Sequence, residues 1–411
     1  MRIFTAVRHS IDPSFYYGGL WSGNFYPALS QLGHEIIESQ VDLLSTSRFM
    51  HVASNFTAQE LEVRTRTTEQ ILEEVRTAHR QETVDLFLSY FYNSHFDPLG
   101  FDELRRLGIP SVNFYCNSIY QFENVSEIAA KADYSWYPEK NAHDLYVQVG
   151  GRPVWVQMAA DPDVYHPLPE IQRKSRSCFV GQRYADRDRW MAALLKEGVP
   201  VDIFGSGWGA LEIKGTDSIS ESTEYLGRPQ DAPASTASYR AALSGMIAKQ
   251  GLVGGLTRAI RQYRYRAETR RLAAYFPPFA KGSIPFQQIT EVFAAHEVCL
   301  NFSNVWADGR PGSKLIPHVR LRDFEAPMCR TCYLTGHTDE IEDFYEIGRE
   351  IDTYRSVVEL IDKTRFYLSN RDAAERIRSA GYARARRDHT WVRRFEELFG
   401  KIGLRTRVSQ T

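Results

Sequence analysis

Two arginines follow a glycine at the end of a strand-like segment, where they could bind phosphate groups. The apolar segment Cys178–Val180 leads into Gly181, and Arg183 and Arg187 come shortly after it. A glycine lets the backbone approach a ligand closely, and guanidinium groups bind a diphosphate through paired hydrogen bonds. The alternative is a solvated turn in which the arginines pair with neighbouring aspartates.

A second glycine-rich turn, Phe204-Gly-Ser-Gly-Trp-Gly209, follows the next strand-like segment. Glycines around Trp208 would leave a flat indole exposed above a slot lined by the backbone of Gly205 and its neighbours, a shape suited to a nucleobase or a sugar. The alternative is an ordinary turn with a tryptophan in the core.

A third group of polar residues lies between positions 301 and 327 and combines positive charge with a carboxylate. Lys314 stands in a polar loop, and Arg322 and Glu325 lie at the start of a predicted helix. The cations could bind phosphates, and a carboxylate can accept hydrogen bonds from both hydroxyls of a ribose. The alternative is a surface helix on which Arg322 and Glu325 form an i, i+3 pair.

A fourth candidate is the pair Gly18 and Gly19, which precedes a predicted helix over Leu20–Leu32. The free N–H groups at a helix N-terminus could bind a phosphate or a sugar hydroxyl. The pattern is not G-x-G-x-x-G, so it does not favour a dinucleotide site. A plain strand-to-helix turn explains the spacing equally well.

The elements that must position these residues alternate between strands and helices. With 411 residues, 43% hydrophobic residues and a net charge of −1, the chain has the composition of a globular protein, and its length predicts two domains. The alternation predicts an α/β protein with parallel sheets. Predicted strands cover Arg2–Val7, Val84–Tyr90, Pro110–Phe114, Asp133–Tyr137, Pro153–Gln157, Cys178–Val180, Pro200–Phe204, Val298–Phe302 and Thr331–Leu334; predicted helices include Thr68–Arg80, Arg189–Glu197, Ser356–Leu368, Ala373–Arg387 and Val392–Gly400.

Three prolines within residues 160–169, followed by the polar run 172–176, predict an interdomain linker. We therefore expect a Rossmann-like domain over 1–168, a second over 169–390 and a C-terminal helix and tail over 391–411. Two such halves predict an enzyme whose domains face each other across a cleft, because ligands bind at the carboxyl ends of parallel strands.

A basic segment interrupts the second half. Residues 240–281 carry a net charge of +8, so the remainder of the chain carries −9. Leu252, Leu256, Ile260, Tyr263 and Ala267 share one face of a helix, which predicts a basic amphipathic insertion over 232–283. We expect peripheral membrane contact through 240–281, with nucleic acid as the less favoured partner. The alternative is an arm that packs against acidic surface of its own chain or of a partner subunit in an oligomer.

Five cysteines, an odd number scattered among apolar segments, predict buried reduced thiols in a cytoplasmic protein. Cys329 and Cys332 form a lone C-x-x-C without further ligands at comparable spacing, so no metal site is predicted. The first eight residues are typical of a strand rather than a signal peptide, and no segment is apolar enough to span a membrane. We expect a cytoplasmic protein that could contact the inner face of the membrane.

An ordered set of short motifs resembles the CgeB-like glycosyltransferases of the GT-B superfamily, with features of its retaining-type relatives. Upstream, Gly18-Gly19 with Gly33-His-Glu-Ile36 is similar to their glycine loop and first helix. The C-terminal motifs are Phe179-Val-Gly181, Phe204-Gly-Ser-Gly-Trp208, Tyr225-Leu-Gly227, Cys299-Leu-Asn-Phe302, Arg322-Asp-Phe-Glu-Ala326, Cys332-Tyr-Leu-Thr335, Glu350-Ile-Asp-Thr-Tyr354 and Arg386-Arg-Asp-His-Thr390.

The resemblance implies a GT-B fold and a nucleoside-diphosphate sugar donor, with UDP, GDP or dTDP as the nucleotide and no tightly bound cofactor or metal. The acceptor would be a glycan, a lipid-linked glycan, a protein or a nucleic acid, bound through the N-terminal domain. By position, Glu325 would bind the ribose and Gly205 to Trp208 would border the base. Four cations would face the diphosphate: Arg183, Arg187, Lys314 and Arg322.

The resemblance leaves the stereochemistry open. Retaining relatives often have a second glutamate eight positions before the ribose glutamate, where this chain has Pro317, and Asp308 is a possible substitute. An inverting reaction needs a base at a strand end of the first domain. Candidates are His9, Asp12, His95, Asp97 and Glu123, of which Asp12 and His95 are preferred.

Two other functions remain open. The same fold could support a sugar-nucleotide epimerase or a phosphorylase. The other alternative is a non-catalytic scaffold that docks on a surface through the basic insertion.

Overall fold

A computed structural model of the protein describes residues 1–10, 19–47, 49, 55–209, 236–309 and 311–404, and over 236–252 only the backbone. The described residues divide into two compact units. Residues 1–158 and 391–404 form the N-terminal unit, and residues 159–209 and 236–390 form the C-terminal unit. The chain therefore returns to the first unit at its C-terminal end.

The N-terminal unit is built on a six-stranded, fully parallel sheet in the order β2-β1-β3-β4-β5-β6. All five strands predicted in this part of the chain are present. The additional strand β2 is a half-exposed edge strand with a glutamate at each end, so it lacks the apolar run that predicts a strand. The strands are β1 (Arg2–Ala6), β2 (Glu35–Glu38), β3 (Leu86–Ser89), β4 (Ser111–Phe114), β5 (Tyr134–Tyr137) and β6 (Pro153–Trp155).

Helices cover the sheet of the N-terminal unit. Helix α3 begins earlier than predicted because Thr57 and Glu60 form a capping box at its N-terminus. Gly33, with φ +73°, follows the end of α1 as predicted. The helices are α1 (Leu20–Gln31), α2 (Leu44–Ser47), α3 (Ala58–Gln81), α4 (Gly100–Arg106), α5 (Ser118–Gln121), α6 (Ser126–Lys131), α7 (His143–Gln148) and, from the C-terminal end, α14 (Trp391–Ile402).

Helix α14 joins the N-terminal unit through aromatic packing. The rings of Phe25 and Trp391 lie 5.1 Å apart, and those of Trp136 and Phe395 lie 5.4 Å apart. The indole Nε1 of Trp391 donates to Oδ1 of Asn24 at 2.8 Å. These buried contacts attach the last helix to the first sheet.

The C-terminal unit contains a five-stranded parallel sheet in the order β13-β12-β9-β7-β8 and a separate antiparallel hairpin, β10-β11. The predicted α/β class with two parallel sheets is confirmed. The strands are β7 (Lys174–Val180), β8 (Val201–Phe204), β9 (His296–Asn301), β10 (Asn304–Trp306), β11 (Leu315–Pro317), β12 (Cys332–Gly336) and β13 (Asp352–Tyr354). The helices are α8 (Arg187–Lys196), α9 (Thr236–Leu272), α10 (Ile289–Ala294), α11 (Arg322–Met328), α12 (Val357–Ser369) and α13 (Arg371–Asp388).

One detail of the predicted linker is wrong. Part of the polar run 172–176 belongs to β7, which begins at Lys174 and pairs with β9 across an irregular register between Lys174 and Ser177. Lys174 and Ser175 are exposed, so a polar sequence is compatible with the irregularly paired start of this strand.

All five cysteines are free thiols, and four of them are buried. Within the described ranges, no helix is long and apolar enough to cross a membrane. The same residues contain no cluster of three or more histidine, cysteine or acidic side chains that could hold a metal ion.

Candidate functional site

The C-terminal unit presents a crevice at the carboxyl ends of β7 and β9. The strand order reverses at this point, because β8 lies on one side of β7 and β9 on the other. Open parallel sheets bind their ligands at such a reversal, beyond the carboxyl ends of the strands. Gly181 follows β7, and Ser303 and Asn304 follow β9, so the first and third sequence candidates meet here.

Gly181 and Gly205 bring the turns after β7 and β8 together. A Cβ on Gly205, which has φ +128°, would lie 2.3 Å from the carbonyl oxygen of Gly181. A Cβ on Gly181 would lie 2.8 Å from the Phe179 ring and 3.1 Å from Nη1 of Arg187. The glycines therefore leave room for each other and for the Arg187 guanidinium.

The expectation of an exposed indole at Trp208 is wrong. The side chain is only 1% exposed, and its Nε1 donates to the Gly181 carbonyl at 2.8 Å. Its ring packs edge-on against Phe179 and Phe276. Trp208 is a core residue that fixes the turn after β7, because the glycines beside it let the chain fold the indole inward.

Arg187 and Arg320 place two guanidinium groups in the same buried region. Arg187 is 7% exposed and lies over the Phe179 ring, with 5.5 Å between its guanidinium carbon and the ring centre. Burial, reinforced by the charge of Arg320, lowers the pKa of Arg187 to about 9. No described salt bridge includes either arginine, so this concentration of positive charge favours binding of an anion.

The hydrogen bonding of the two arginines is incomplete. Arg187 donates from Nη1 to the Gln182 carbonyl at 2.9 Å. Its Nε, and Nε and Nη2 of Arg320, are buried without a hydrogen-bond partner in the described part of the chain. Buried donors without partners are rare in proteins, so the arrangement is consistent with a ligand that supplies acceptors. Arg320 lies within the third sequence candidate, but the arginine predicted there to face the diphosphate is Arg322.

Asp186 connects helix α8 to the end of β9. Its Oδ2 accepts hydrogen bonds from Nε1 of Trp190 at 2.8 Å and from Nδ2 of Asn304 at 2.7 Å. The described salt bridges do not pair Asp186 with Arg187; Arg183 pairs with Asp188 at 3.2 Å. The predicted alternative of arginines paired within the turn therefore holds for Arg183 alone.

Arg183 is directed toward helix α9. It donates to the carbonyl of Thr269, and its guanidinium carbon lies 4.9 Å from the centre of the Phe276 ring. The side chain is occupied by internal partners, so its expected contact with the diphosphate stays a prediction.

Glu325 lies buried in the first turn of α11, with both carboxylate oxygens engaged. Oε1 accepts a hydrogen bond from the Tyr165 hydroxyl at 2.7 Å, and Oε2 lies 2.8 Å from Nη1 of Arg322. The predicted i, i+3 pair of Arg322 and Glu325 is present, but Glu325 is buried and Arg322 is partly buried, so the pair does not lie on an open surface. No sequence motif indicates that Tyr165 contacts the site, because it stands 160 positions from Glu325 in the chain.

The β10-β11 hairpin carries Asp308 and Lys314 and is attached to helix α9. Asp308 forms an ion pair with Arg258 at 2.5 Å. Gly312 has φ +86°, and a Cβ there would lie 2.8 Å from the backbone nitrogen of Gln262. Lys314 is exposed beside this contact. The described geometry does not test the expected role of Asp308 at the donor sugar.

A cavity of about 200 Å³ opens at the ends of β9, β12 and β13. It is smaller than the roughly 300–1,000 Å³ of most ligand pockets, so it could hold part of a ligand such as a sugar or a phosphate. Its polar lining includes Ser303, Asn304, His337 and Arg355.

In the N-terminal unit, His95 is completely buried after β3. Its Nδ1 accepts the backbone N–H of Tyr92 at 3.0 Å, and its Nε2 lies 3.0 Å from Oγ of Ser47. An Nδ1 that accepts leaves the ring proton on Nε2. This geometry does not support the base role predicted for His95, because the lone pair that would take a proton is already used.

Three other residues predicted to be functional belong to the loop between β1 and α1 and the start of α1. Asp12 and Gly18 lie outside the described residues, and Gly19 immediately precedes α1. Their functional roles stay predictions.

His9 and His95 form a buried pair whose rings lie 4.4 Å apart. Burial lowers the pKa of His9 to about 4, and burial together with the nearby His9 lowers the pKa of His95 well below its usual value. Both histidines are therefore neutral in the folded protein at neutral pH.

This pair predicts acid lability. The unfolded chain binds protons at these histidines below about pH 6.5 and the folded protein does not, so stability rises with pH from about 4 to about 6.5. Between about pH 7 and pH 5, His9 alone should lower the free energy of unfolding by about 2 kcal/mol. Urea denaturation of His9→Asn should show a correspondingly smaller loss of the free energy of unfolding between pH 7 and pH 5. His166→Asn, which changes an exposed histidine, is the control and should lose as much as the wild type. If His9→Asn loses as much as the wild type over this pH range, His9 is not the cause of the acid lability.

Comparisons with known proteins define the class of the fold. Sucrose-phosphate synthase from Thermosynechococcus elongatus is 11% identical, with 98% of this chain and 99% of that chain covered and a TM-score of 0.54. Anabaena HepE in complex with UDP and glucose is 11% identical, with 98% of this chain and 99% of that chain covered and a TM-score of 0.52. AviGT4, a glycosyltransferase involved in avilamycin A biosynthesis, is 13% identical over 98% of each chain, with a TM-score of 0.52. The fold is that of the GT-B glycosyltransferases, as predicted.

Sequence comparison adds one finding about the C-terminal unit. Residues 277–400 match the family model described as glycosyl transferase-like. This region contains α10 to α13 with Arg320 and Glu325, and it extends into α14 of the N-terminal unit. A search among curated proteins gives no match.

Proposed function

We propose that the protein is a glycosyltransferase that moves a sugar from a nucleoside diphosphate to a glycan or lipid-linked acceptor. The observation that carries the proposal is the buried pair of Arg187 and Arg320, with unpaired donors at the point where the strand order reverses. We include in the proposal that the protein is a CgeB-like glycosyltransferase, as its sequence motifs suggest.

The two guanidinium groups would bind the diphosphate of the donor. Charge develops on this leaving group as the bond to the sugar breaks, and positioned cations stabilise that charge without reorganising. Lys314 and Arg322 are the further cations proposed for this role. This arrangement supports a reaction in which side chains rather than a metal ion neutralise the diphosphate.

The remaining roles follow from chemistry. Glu325 would accept hydrogen bonds from the ribose hydroxyls through its unused lone pairs. In the transfer, a bond forms between the acceptor oxygen and the anomeric carbon, and the bond from that carbon to the diphosphate breaks. The hydroxyl proton passes to a base, for which Asp12 remains the proposed residue, and Asp308 remains the proposed contact of the donor sugar.

UDP is the first nucleotide to test, because the HepE structure with the same fold was determined with UDP. We expect UDP, GDP or dTDP to raise the melting temperature, since a ligand at 100 times its Kd stabilises the native state by about 2.7 kcal/mol. A screen of the corresponding nucleotide sugars for donor hydrolysis would then identify the sugar. If no nucleoside diphosphate changes the melting temperature, the proposal fails. If a free epimer or a phosphate-dependent product forms instead, the enzyme is an epimerase or a phosphorylase.

A further inference from the structure

The outer face of helix α9 exposes large apolar side chains to solvent. Val253, Leu256, Ile260 and Tyr263 are 79%, 53%, 46% and 75% exposed. With exposed Ala267 they occupy an arc of about 80° around the helix, at 100° per residue. The part of the predicted stripe whose side chains the structure describes is therefore present, but it points away from the unit that carries the helix. The side chain of Leu252, the first residue of the predicted stripe, lies outside the described residues.

Arginines border this stripe on both sides. By helical spacing, Arg264 and Arg271 lie along one margin and Arg270 along the other, with Arg261 beyond the first margin. All four are exposed, and none forms an ion pair within the described part of the chain. Glu268, the one acid between 240 and 281, lies between the two faces and pairs with Arg189 at 2.5 Å.

The inner face fixes this orientation. Arg258 pairs with Asp308 at 2.5 Å, and the rings of Tyr265 and Trp306 pack edge-to-face at 5.0 Å. At the end of the helix, Leu272 enters the core of the C-terminal unit. The apolar stripe cannot turn inward without breaking these contacts, so the helix presents it on a fixed platform.

We propose that the outer face of α9 binds the surface of an anionic lipid bilayer. An apolar stripe between rows of cations is the arrangement by which helices lie in a membrane interface, with the apolar side chains among the acyl chains and the arginines at the headgroups. A nucleic acid would attract the same arginines but would leave the apolar stripe exposed. The charges agree, because segment 240–281 carries +8 in a chain of net charge −1. The proposal does not depend on the transfer reaction, since binding to lipid needs no donor.

Co-sedimentation with vesicles tests the proposal on the full chain. We expect binding to phosphatidylcholine vesicles that contain phosphatidylglycerol, weaker binding to phosphatidylcholine alone, and loss of binding as salt increases. The double variant Arg264→Gln/Arg271→Gln should bind about 25-fold more weakly, at about fivefold for each arginine. Leu256→Gln/Ile260→Gln should lower binding at least about tenfold by removing apolar area.

Matched control variants distinguish the effect of this face of α9 from the effects of overall charge and overall hydrophobicity. Arg349→Gln/Arg365→Gln removes two exposed arginines of the same unit, and Val358→Gln removes an exposed apolar side chain from α12. Both should bind as the wild type does. A far-UV circular dichroism spectrum and a melting temperature like those of the wild type, measured without nucleotide, would show that all variants fold.

Three results would overturn the proposal. The first is equal binding of wild type to neutral and anionic vesicles, or unchanged binding of both α9 variants. The second is binding to a DNA duplex without binding to anionic vesicles, which would assign the face to nucleic acid. The third is self-association that Leu256→Gln/Ile260→Gln abolishes in a protein that does not bind vesicles, which would assign the face to a second copy of the chain.

Discussion

Replacing Arg187 with methionine should abolish the nucleotide-induced rise in melting temperature while leaving the unliganded protein at least as stable. The loss of one partner from a buried charge pair typically costs about 3 kcal/mol of binding, or more than 100-fold in affinity. Without a nucleotide, the Arg187 guanidinium is buried beside Arg320 and its Nε has no described partner. Methionine keeps much of the apolar contact with Phe179 and removes the uncompensated charge, so we expect the free energy of unfolding to rise by about 1 kcal/mol.

The opposite signs of these two effects make the test specific. Titration calorimetry with UDP measures the affinity, and urea denaturation measures the stability. Arg320→Gln should weaken the nucleotide to a similar extent, and the double variant should lose less than the sum of the two single variants. Arg189→Met, an exposed arginine on the same helix, serves as the control and should bind UDP as the wild type does. If Arg187→Met retains full affinity, the diphosphate does not lie between the two arginines.

Replacing Glu325 with glutamine should remove the ability of the site to recognise ribose hydroxyls. A site that hydrogen-bonds a hydroxyl discriminates against the analogue that lacks it, so the wild type should prefer UDP over 2′,3′-dideoxy-UDP by at least about tenfold. In Glu325→Gln this preference should fall to about threefold or less, because the amide offers one acceptor and no charge. If GDP or dTDP binds best, the comparison is made with its dideoxy counterpart.

Glutamine is preferred to alanine because Glu325 also neutralises Arg322. Alanine would leave that partly buried guanidinium without its carboxylate and should lower the free energy of unfolding by about 2 kcal/mol, which would obscure the binding effect. Tyr165→Phe removes the hydrogen bond to Oε1 and keeps the Glu325 carboxylate, so we expect a smaller loss of discrimination. The exposed Glu291→Gln is the control. Full ribose discrimination in Glu325→Gln would show that the carboxylate has a structural role only.

Much of the framework of the fold could be predicted from the sequence. Most β-strand segments of both sheets are apolar runs bounded by glycine, proline or polar residues, and such local patterns report burial directly. The exceptions are short or polar segments, among them β13, which was not predicted from its sequence Asp352-Thr-Tyr354. Strand β2 is half exposed between two glutamates, and the polar start of β7 resembles a linker.

The candidate site was only partly predictable. Sequence motifs identify Arg187 and Glu325 because each stands just after a strand or at the start of a helix, where a parallel sheet places its ligands. The same motifs do not indicate that Trp208 is buried, since the glycines around it permit an outward or an inward indole. They also give no signal for Tyr165, whose hydroxyl reaches Glu325 from 160 positions away.

By itself, the sequence determined two parallel α/β sheets, the cations and carboxylate near the strand ends, and a basic helix with an apolar stripe. These properties depend on residues close to one another in the chain. The tertiary structure decided which of them meet. It places Arg320 beside Arg187, and it turns the stripe of α9 outward because Asp308 and Trp306 engage the opposite face. Helical periodicity defines a stripe, but the contacts that orient it come from distant segments, and those contacts exist only in the folded chain.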